Sequence, residues 1–204
     1  MSKQNVPTIS FRIDKDNTSI FSPILQQGFM LPALVGCSFK SLICNQFGVT
    51  PEYLSGRIKT IFLNGKPVDD VESTIICDGA ILALSAAMPG LVGATFRSGG
   101  ALSVFRSSIS HRNETNQSEF SDQGMITLKL FNLLISEMGP SFLERGICVE
   151  CSIMKAFIEE KETDWQSVFK SIIIDGQEIE SDGLNHLTWN DSHKFIFVTV
   201  QIDK

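Results

Sequence analysis

The sequence lacks several features that would point to a membrane or to nucleic acid. Its 204 residues contain no uninterrupted apolar run of the ~18 or more residues that a membrane-spanning helix needs, and no apolar segment of signal-peptide length follows the first lysine. Basic residues are not in excess, because 17 Lys and Arg face 23 Asp and Glu, for a net charge of −6. These absences predict a cytoplasmic protein without a membrane partner and without a nucleic-acid partner bound through a basic face.

Residues and motifs that carry catalysis are also scarce. The three histidines, His111, His186 and His193, are scattered, and the chain contains no Gly-x-Ser-x-Gly, His-Glu-x-x-His or phosphate-binding-loop motif. We therefore predict no metal site and no cofactor. Whether the protein is an enzyme stays open, although these absences favour a non-enzymatic role.

Cysteine is the one reactive residue type with suggestive spacing. The five cysteines are an odd number in a chain large enough to fold without disulfides, which predicts free thiols. Cys148 and Cys151 form a C-x-x-C motif just before a predicted helix, whose N-terminus would lower a thiol pKa and favour redox or metal chemistry. A structural zinc site normally needs four ligands. Cys37 aligns with Cys151 in the repeat described next, and this favours core packing for both.

An internal repeat is the strongest positive feature. Residues 58–68 align with residues 169–179 at an offset of 111, and each segment contains a turn dipeptide, Asn64-Gly65 or Asp175-Gly176, that favours a tight hairpin. Residues 9–13 and 126–130 alternate between apolar and polar side chains, as strands do.

The repeat predicts the domain organisation. We expect a first unit at 1–106, a polar linker at 107–124 and a second unit at 125–204, which carries the acidic excess of the chain. Each unit should contain a small mixed sheet with one packed helix, in the order strand, strand, helix, strand, turn, short strand and final strand. The predicted fold class is α+β, with two tandem, diverged units.

This element order resembles the ubiquitin-like β-grasp superfamily. Residues 9–93 are most similar to the thiamine- and molybdopterin-type sulfur-carrier proteins, through Asn64-Gly65, the Asp78-Gly79 turn and the stretch from Met88 to Gly93. The resemblance implies activation of a terminal glycine carboxylate to a thiocarboxylate in cofactor biosynthesis. Because 111 residues follow Gly93 here, carrier chemistry would require processing after Gly93 or after Gly100.

The segment 88–106 is the predicted binding segment. Its glycines permit close backbone approach, and its arginines supply forked donors for a carboxylate or phosphate. The candidate binding residues are Pro89, Gly90, Gly93, Arg97, Gly99, Gly100 and Arg106. The alternative is a plain inter-domain connection.

The leading functional hypothesis is a non-enzymatic binding or assembly module. A sheet face or edge, together with this segment, would hold a protein partner, another copy of the chain or a small anion. The alternatives are a processed or degenerate sulfur-carrier-like protein and an enzyme that uses the glycine-rich segment around a phosphorylated ligand.

Overall fold

The computed structural model describes residues 6–87, 122–159, 165–180, 183–184 and 193–203. These residues form an α+β structure with mixed strand pairing, which confirms the predicted fold class at that level. Among the described helices, none combines the length and the apolar composition required to cross a membrane.

The elements follow one another in the same order in both halves of the chain. The strands are β1 (Thr8–Asp14), β2 (Phe29–Leu34), β3 (Thr60–Leu63), β4 (Lys66–Pro67), β5 (Ile81–Ser85), β6 (Gln123–Phe131), β7 (Ile147–Glu150), β8 (Phe169–Ile174), β9 (Gln177–Ile179) and β10 (Phe195–Asp203). The α-helices are α1 (Ser22–Gln27), α2 (Phe39–Ser41), α3 (Pro51–Arg57), α4 (Leu133–Arg145), α5 (Cys151–Glu159) and α6 (Trp165–Val168). A 3-10 helix, Lys15–Phe21, precedes α1, and a π-helical stretch, Leu42–Gln46, continues α2.

Local sequence signals explain several of these boundaries. The Ser38 side chain caps α2 by accepting a hydrogen bond from the Ser41 amide, and Thr50 caps α3 in the same way before Pro51. Both predicted hairpin turns are confirmed. Asn64 and Gly65 have φ of 50° and 76°, and Asp175 and Gly176 have φ of 48° and 82°. These left-handed conformations join β3 to β4 and β8 to β9 as antiparallel pairs.

The chain divides into two compact units that do not follow the two halves of the sequence. Unit 1 consists of Met1–Phe29 and Ile135–Lys204, and unit 2 consists of Met30–Leu134. In unit 1 the strand order is β7-β10-β1-β8-β9, and in unit 2 it is β4-β3-β5-β6-β2. Among the described residues, each unit therefore contains four strands of one half and the first strand of the other half.

Unit 1 is built around β1. This strand pairs with β10 in parallel and with β8 in antiparallel orientation. Its inward side chains, Ile9, Phe11 and Ile13, are at most 1% exposed. Side chains from α1, α4 and α5 complete this core, including Leu25, Phe142 and Phe157.

Unit 2 is built around β6 in a similar way. This strand pairs in parallel with β5 and has β2 as its other neighbour, where the Val35 amide donates to the Asp122 carbonyl over 2.8 Å. In the helical segment that follows β2, Phe39, Leu42 and Ile43 are completely buried and belong to the core of this unit.

One detail of the predicted units needs correction. We predicted one packed helix in each, but a helix also lies between the first and second strands of both halves, α1 in the first and α4 in the second. In α4, Leu134, Met138 and Phe142 are buried at a four-residue spacing, which places them on one helical face. The two units also differ in strand order: β5 lies between β3 and β6, whereas β10, its counterpart in the repeat, lies between β7 and β1.

The predicted domain ranges 1–106, 107–124 and 125–204 were derived from the repeat, and they stay a prediction. Of the predicted linker, residues 107–121 lie outside the described residues, and Gln123 and Gly124 already belong to β6.

Candidate functional site

The predicted binding residues of the Gly/Arg segment lie outside the part of the chain that the structure describes. This holds for all seven of them: Pro89, Gly90, Gly93, Arg97, Gly99, Gly100 and Arg106. Their role stays a prediction, and the site has to be sought among the described residues.

The two cysteines of the C-x-x-C motif are both half-buried. Cys148 lies in β7 opposite Phe197, and Cys151 is the first residue of α5, where its amide donates to the Lys194 carbonyl. Burial raises the pKa of both thiols, which is the opposite of what a reactive thiolate needs. All five cysteines are free thiols, as predicted, and no cluster of three or more His, Cys, Asp or Glu in the described ranges could hold a metal ion.

The outer face of the unit 2 sheet carries a broad set of apolar side chains, which we call the apolar face. Its members point away from the core on four neighbouring strands, and three of the larger ones are clearly exposed, Leu34 and Ile81 by 44% and Phe131 by 37%. The apolar face comprises Met30, Pro32, Leu34, Phe62, Ile81, Ala83, Met125 and Phe131.

The strand register brings these side chains into rows. Across β3, β5 and β6, Phe62 stands opposite Ala83 and Ala83 opposite Lys129, while Ser85 stands opposite Phe131. At the β2 end of the face, a depression of about 460 Å³ is lined by Pro32, Leu34 and Met125, among others. Large apolar patches on a protein surface commonly mark interaction sites.

Two polar residues define how the apolar face can be used. Lys129 is half-buried among these side chains and forms no ion pair with another described residue. The Gln46 side chain binds both backbone groups of Leu34: its Oε1 accepts from the Leu34 amide over 2.8 Å, and its Nε2 donates to the Leu34 carbonyl over 2.9 Å. These Leu34 groups are therefore not free to pair with an added strand.

The outer face of the unit 1 sheet carries a cluster of paired charges. Arg12 Nε lies 3.1 Å from Asp203 Oδ1, and Lys170 Nζ lies 3.1 Å from Asp203 Oδ2 and also contacts Asp14. The hydrogen bond from Lys170, and then that from Arg12, holds the pKa of Asp203 below its usual value. Hydrogen bonds to Asp14 and Asp203 raise the pKa of Lys170. This cluster joins strands of unit 1, so we assign it a structural role.

Sequence reasoning named a sheet face in general but missed these residues. A signal was present in β2, whose residues Phe29–Leu34 are all apolar and supply both the core and the outer face. A strand with apolar residues on both sides is typical of a sheet covered on both faces. In β6, Met125 and Phe131 on the outer side of the strand gave a similar indication.

Comparison with known proteins gives no relative from which a function could be transferred. No protein-family model, no curated protein and no solved structure matches the chain.

Proposed function

We propose that this protein is a non-enzymatic binding module that uses the apolar face of unit 2 to hold a protein partner. The observation that carries the proposal is the exposure of Leu34, Ile81 and Phe131 on one sheet face. Burying such side chains against a partner is favourable, with a free energy of about 25 cal/mol per Å² of apolar area removed from solvent.

The chemistry of the partner follows from Lys129. A cation enclosed in an apolar interface is unfavourable unless an opposite charge accompanies it. A second copy of the chain, docked symmetrically through the same face, would bring two Lys129 ammonium groups into one interface. We therefore propose a different protein, with an apolar surface and an acidic side chain that reaches Lys129.

The β-grasp description of the two units belongs to this proposal. It is supported by the element order that both halves of the chain share. Because one fold can carry many functions, the proposed function rests on the apolar face and not on the fold. The small anion and the sulfur-carrier alternative stay proposals tied to residues 88–106.

The test compares single variants of the exposed face with a matched variant elsewhere. Ile81→Glu and Lys129→Glu change the apolar face, and Ile173→Glu changes a similarly exposed isoleucine, 38% accessible, on β8 of unit 1. Proteins co-purified from the source cells are quantified for each variant, and a partner that distinguishes them is then titrated against the purified protein.

We expect one partner to be lost with both apolar-face variants and kept with Ile173→Glu. In the titration, Ile81→Glu and Lys129→Glu should each bind this partner at least 10-fold more weakly than the native protein, as for a central interface residue. Partner binding unaffected by Ile81→Glu and Lys129→Glu would contradict the proposal. Turnover of a substrate by the purified protein, abolished by changing one titratable residue, would also contradict it.

A further inference from the structure

The first strands of the two halves occupy each other's places. By the repeat, residues 9–13 and 126–130 are equivalent, yet β1 lies in unit 1 among second-half strands and β6 lies in unit 2 among first-half strands. We infer that the two halves form an obligate complex by reciprocal strand exchange, so that a chain cut between β5 and β6 stays together as a noncovalent pair. This inference is independent of the proposed partner binding.

The pairing of β1 shows how firmly the first half is held by the second. Seven residues of β1, Thr8 to Asp14, are in register with Phe197 to Asp203 of β10, and the other edge of β1 pairs with β8. Because β1 has a neighbour on both sides, it cannot leave without opening two hydrogen-bonded ladders.

An aromatic cluster in the core of unit 1 is also assembled from both halves. Phe11 stacks on Phe169 with ring centroids 4.5 Å apart, and Phe21 stacks on Phe157 at 5.5 Å. Trp165 stacks on Phe169 at 5.1 Å. Removal of the first half would take two rings out of this cluster, the one stacked on Phe169 and the one stacked on Phe157.

The reverse contribution, from the second half to unit 2, is similar. Five residues of β6, Thr127 to Phe131, are in parallel register with β5. The inward side chains of this strand, Ile126, Leu128 and Leu130, are fully buried. Unit 2 would lose the centre of its core without them.

Aspartates of two turns hold the starts of the exchanged strands. In unit 1 the Thr8 amide donates to Asp175 Oδ1 over 2.8 Å, and in unit 2 the Met125 amide donates to Asp78 Oδ1 over the same distance. Each aspartate belongs to the opposite half from the strand it binds. A product of processing after Gly93 or Gly100 would therefore remain attached to the rest of the chain.

The first experiment cuts the folded protein. A protease recognition sequence is inserted between Asn116 and Gln117, and the cut protein is analysed by size-exclusion chromatography with light scattering. We expect both pieces to elute together in a 1:1 ratio near the intact mass of 22.5 kDa and to separate only in denaturant. Elution of the pieces as separate folded species would overturn the inference.

A second experiment leaves the connection between β5 and β6 unchanged. Ser10 Oγ and Thr199 Oγ1 are 2.7 Å apart, so the double variant Ser10→Cys, Thr199→Cys should form a disulfide within one chain. The control is Ser10→Cys, Ile81→Cys, because Ile81 is opposite Thr127, the counterpart of Ser10, and an unexchanged repeat would join that pair.

Peptide mapping of the oxidised proteins distinguishes the two arrangements. We expect the linked peptide in the first variant at monomer mass and no linked peptide in the control. A link in the control alone, or a first-variant link that joins two chains, would show that the halves are not exchanged within one molecule.

Discussion

At the residue scale, a few positions are restricted by backbone geometry and close packing rather than by chemistry. Gly146, between α4 and β7, has φ of 93°, and a Cβ atom added there would lie 2.3 Å from Cζ of Phe197. Gly56, in α3, has no atom within 4 Å of the corresponding position. Two glycines of the same chain thus have opposite tolerance to a side chain.

We expect Gly146→Ala to lower the free energy of unfolding by about 2–3 kcal/mol, because it combines a strained left-handed conformation with overpacking against the Phe197 ring. Gly56→Ala should leave stability unchanged or raise it by up to ~1 kcal/mol, since alanine favours the helix. Urea denaturation measures both variants. Equal stability of Gly146→Ala and the native protein would contradict both the backbone strain and the overpacking assigned to this position.

At the element scale, the exchanged strands combine buried ladders with contacts at their ends. The C-terminal end of β1 is joined to β10 by the ion pair of Arg12 with Asp203, and Lys170 of β8 binds Asp203 as well as Asp14. These side chains are partly exposed, so each pair contributes little alone, and β1 is held mainly by burial and by its ladders.

The cluster nevertheless predicts a pH dependence with a definite sign. The pKa of Asp203 is lowered in the folded protein. The stabilisation that the Asp203 carboxylate gives to the folded state is therefore complete above its pKa in the unfolded state, about 3.8, and is lost as the pH falls through its pKa in the folded state. Asp203→Asn should therefore be less stable than the native protein at pH 7, and the difference should shrink near pH ~3.

Urea denaturation of both proteins at the two pH values checks this expectation. Asp16→Asn is the matched control, because Asp16 forms no ion pair with another described residue of unit 1. A stability difference for Asp203→Asn that is as large at the acidic pH as at pH 7 would contradict the assigned role.

At the scale of the whole molecule, strand exchange determines which parts of the chain lose stability together. A defect in β1 should weaken β8 and β10, which are far along the chain, more than β3 and β5, which belong to its own half. A conventional tandem repeat would show the reverse, because a strand would then stabilise its sequence neighbours.

Amide hydrogen exchange of two variants, one in β1 and one in β6, tests this expectation. Phe11→Leu removes the stacking on Phe169 in unit 1, and Leu128→Val removes a buried methylene in unit 2, each at a cost of about 1 kcal/mol. We expect faster amide exchange in residues 169–174 and 195–203 for Phe11→Leu, and in residues 60–63 and 81–85 for Leu128→Val. The opposite assignment of affected strands would contradict the exchanged arrangement.

The sequence alone determined the local features of the fold. The alternation in β1 and β6, the two hairpins at Asn64-Gly65 and Asp175-Gly176, and the capped helix after Ser38 all follow from contacts between residues close in the chain. Such signals act over a few residues, so they can be read without the tertiary structure. The predicted element order placed no helix between the first and second strands of either half, so α1 and α4 were missed.

Only the tertiary structure decided which strands share a unit and which residues form the apolar face. Residues 9–13 and 126–130 carry the same pattern of apolar and polar side chains, so either strand satisfies the core of either unit as far as the pattern is concerned. The choice depends on contacts distant in sequence, including the stacking of Phe11 on Phe169 and the bond from Met125 to Asp78. The apolar face arises in the same way, because Leu34, Ile81 and Phe131 meet only when β2, β5 and β6 are assembled into one sheet.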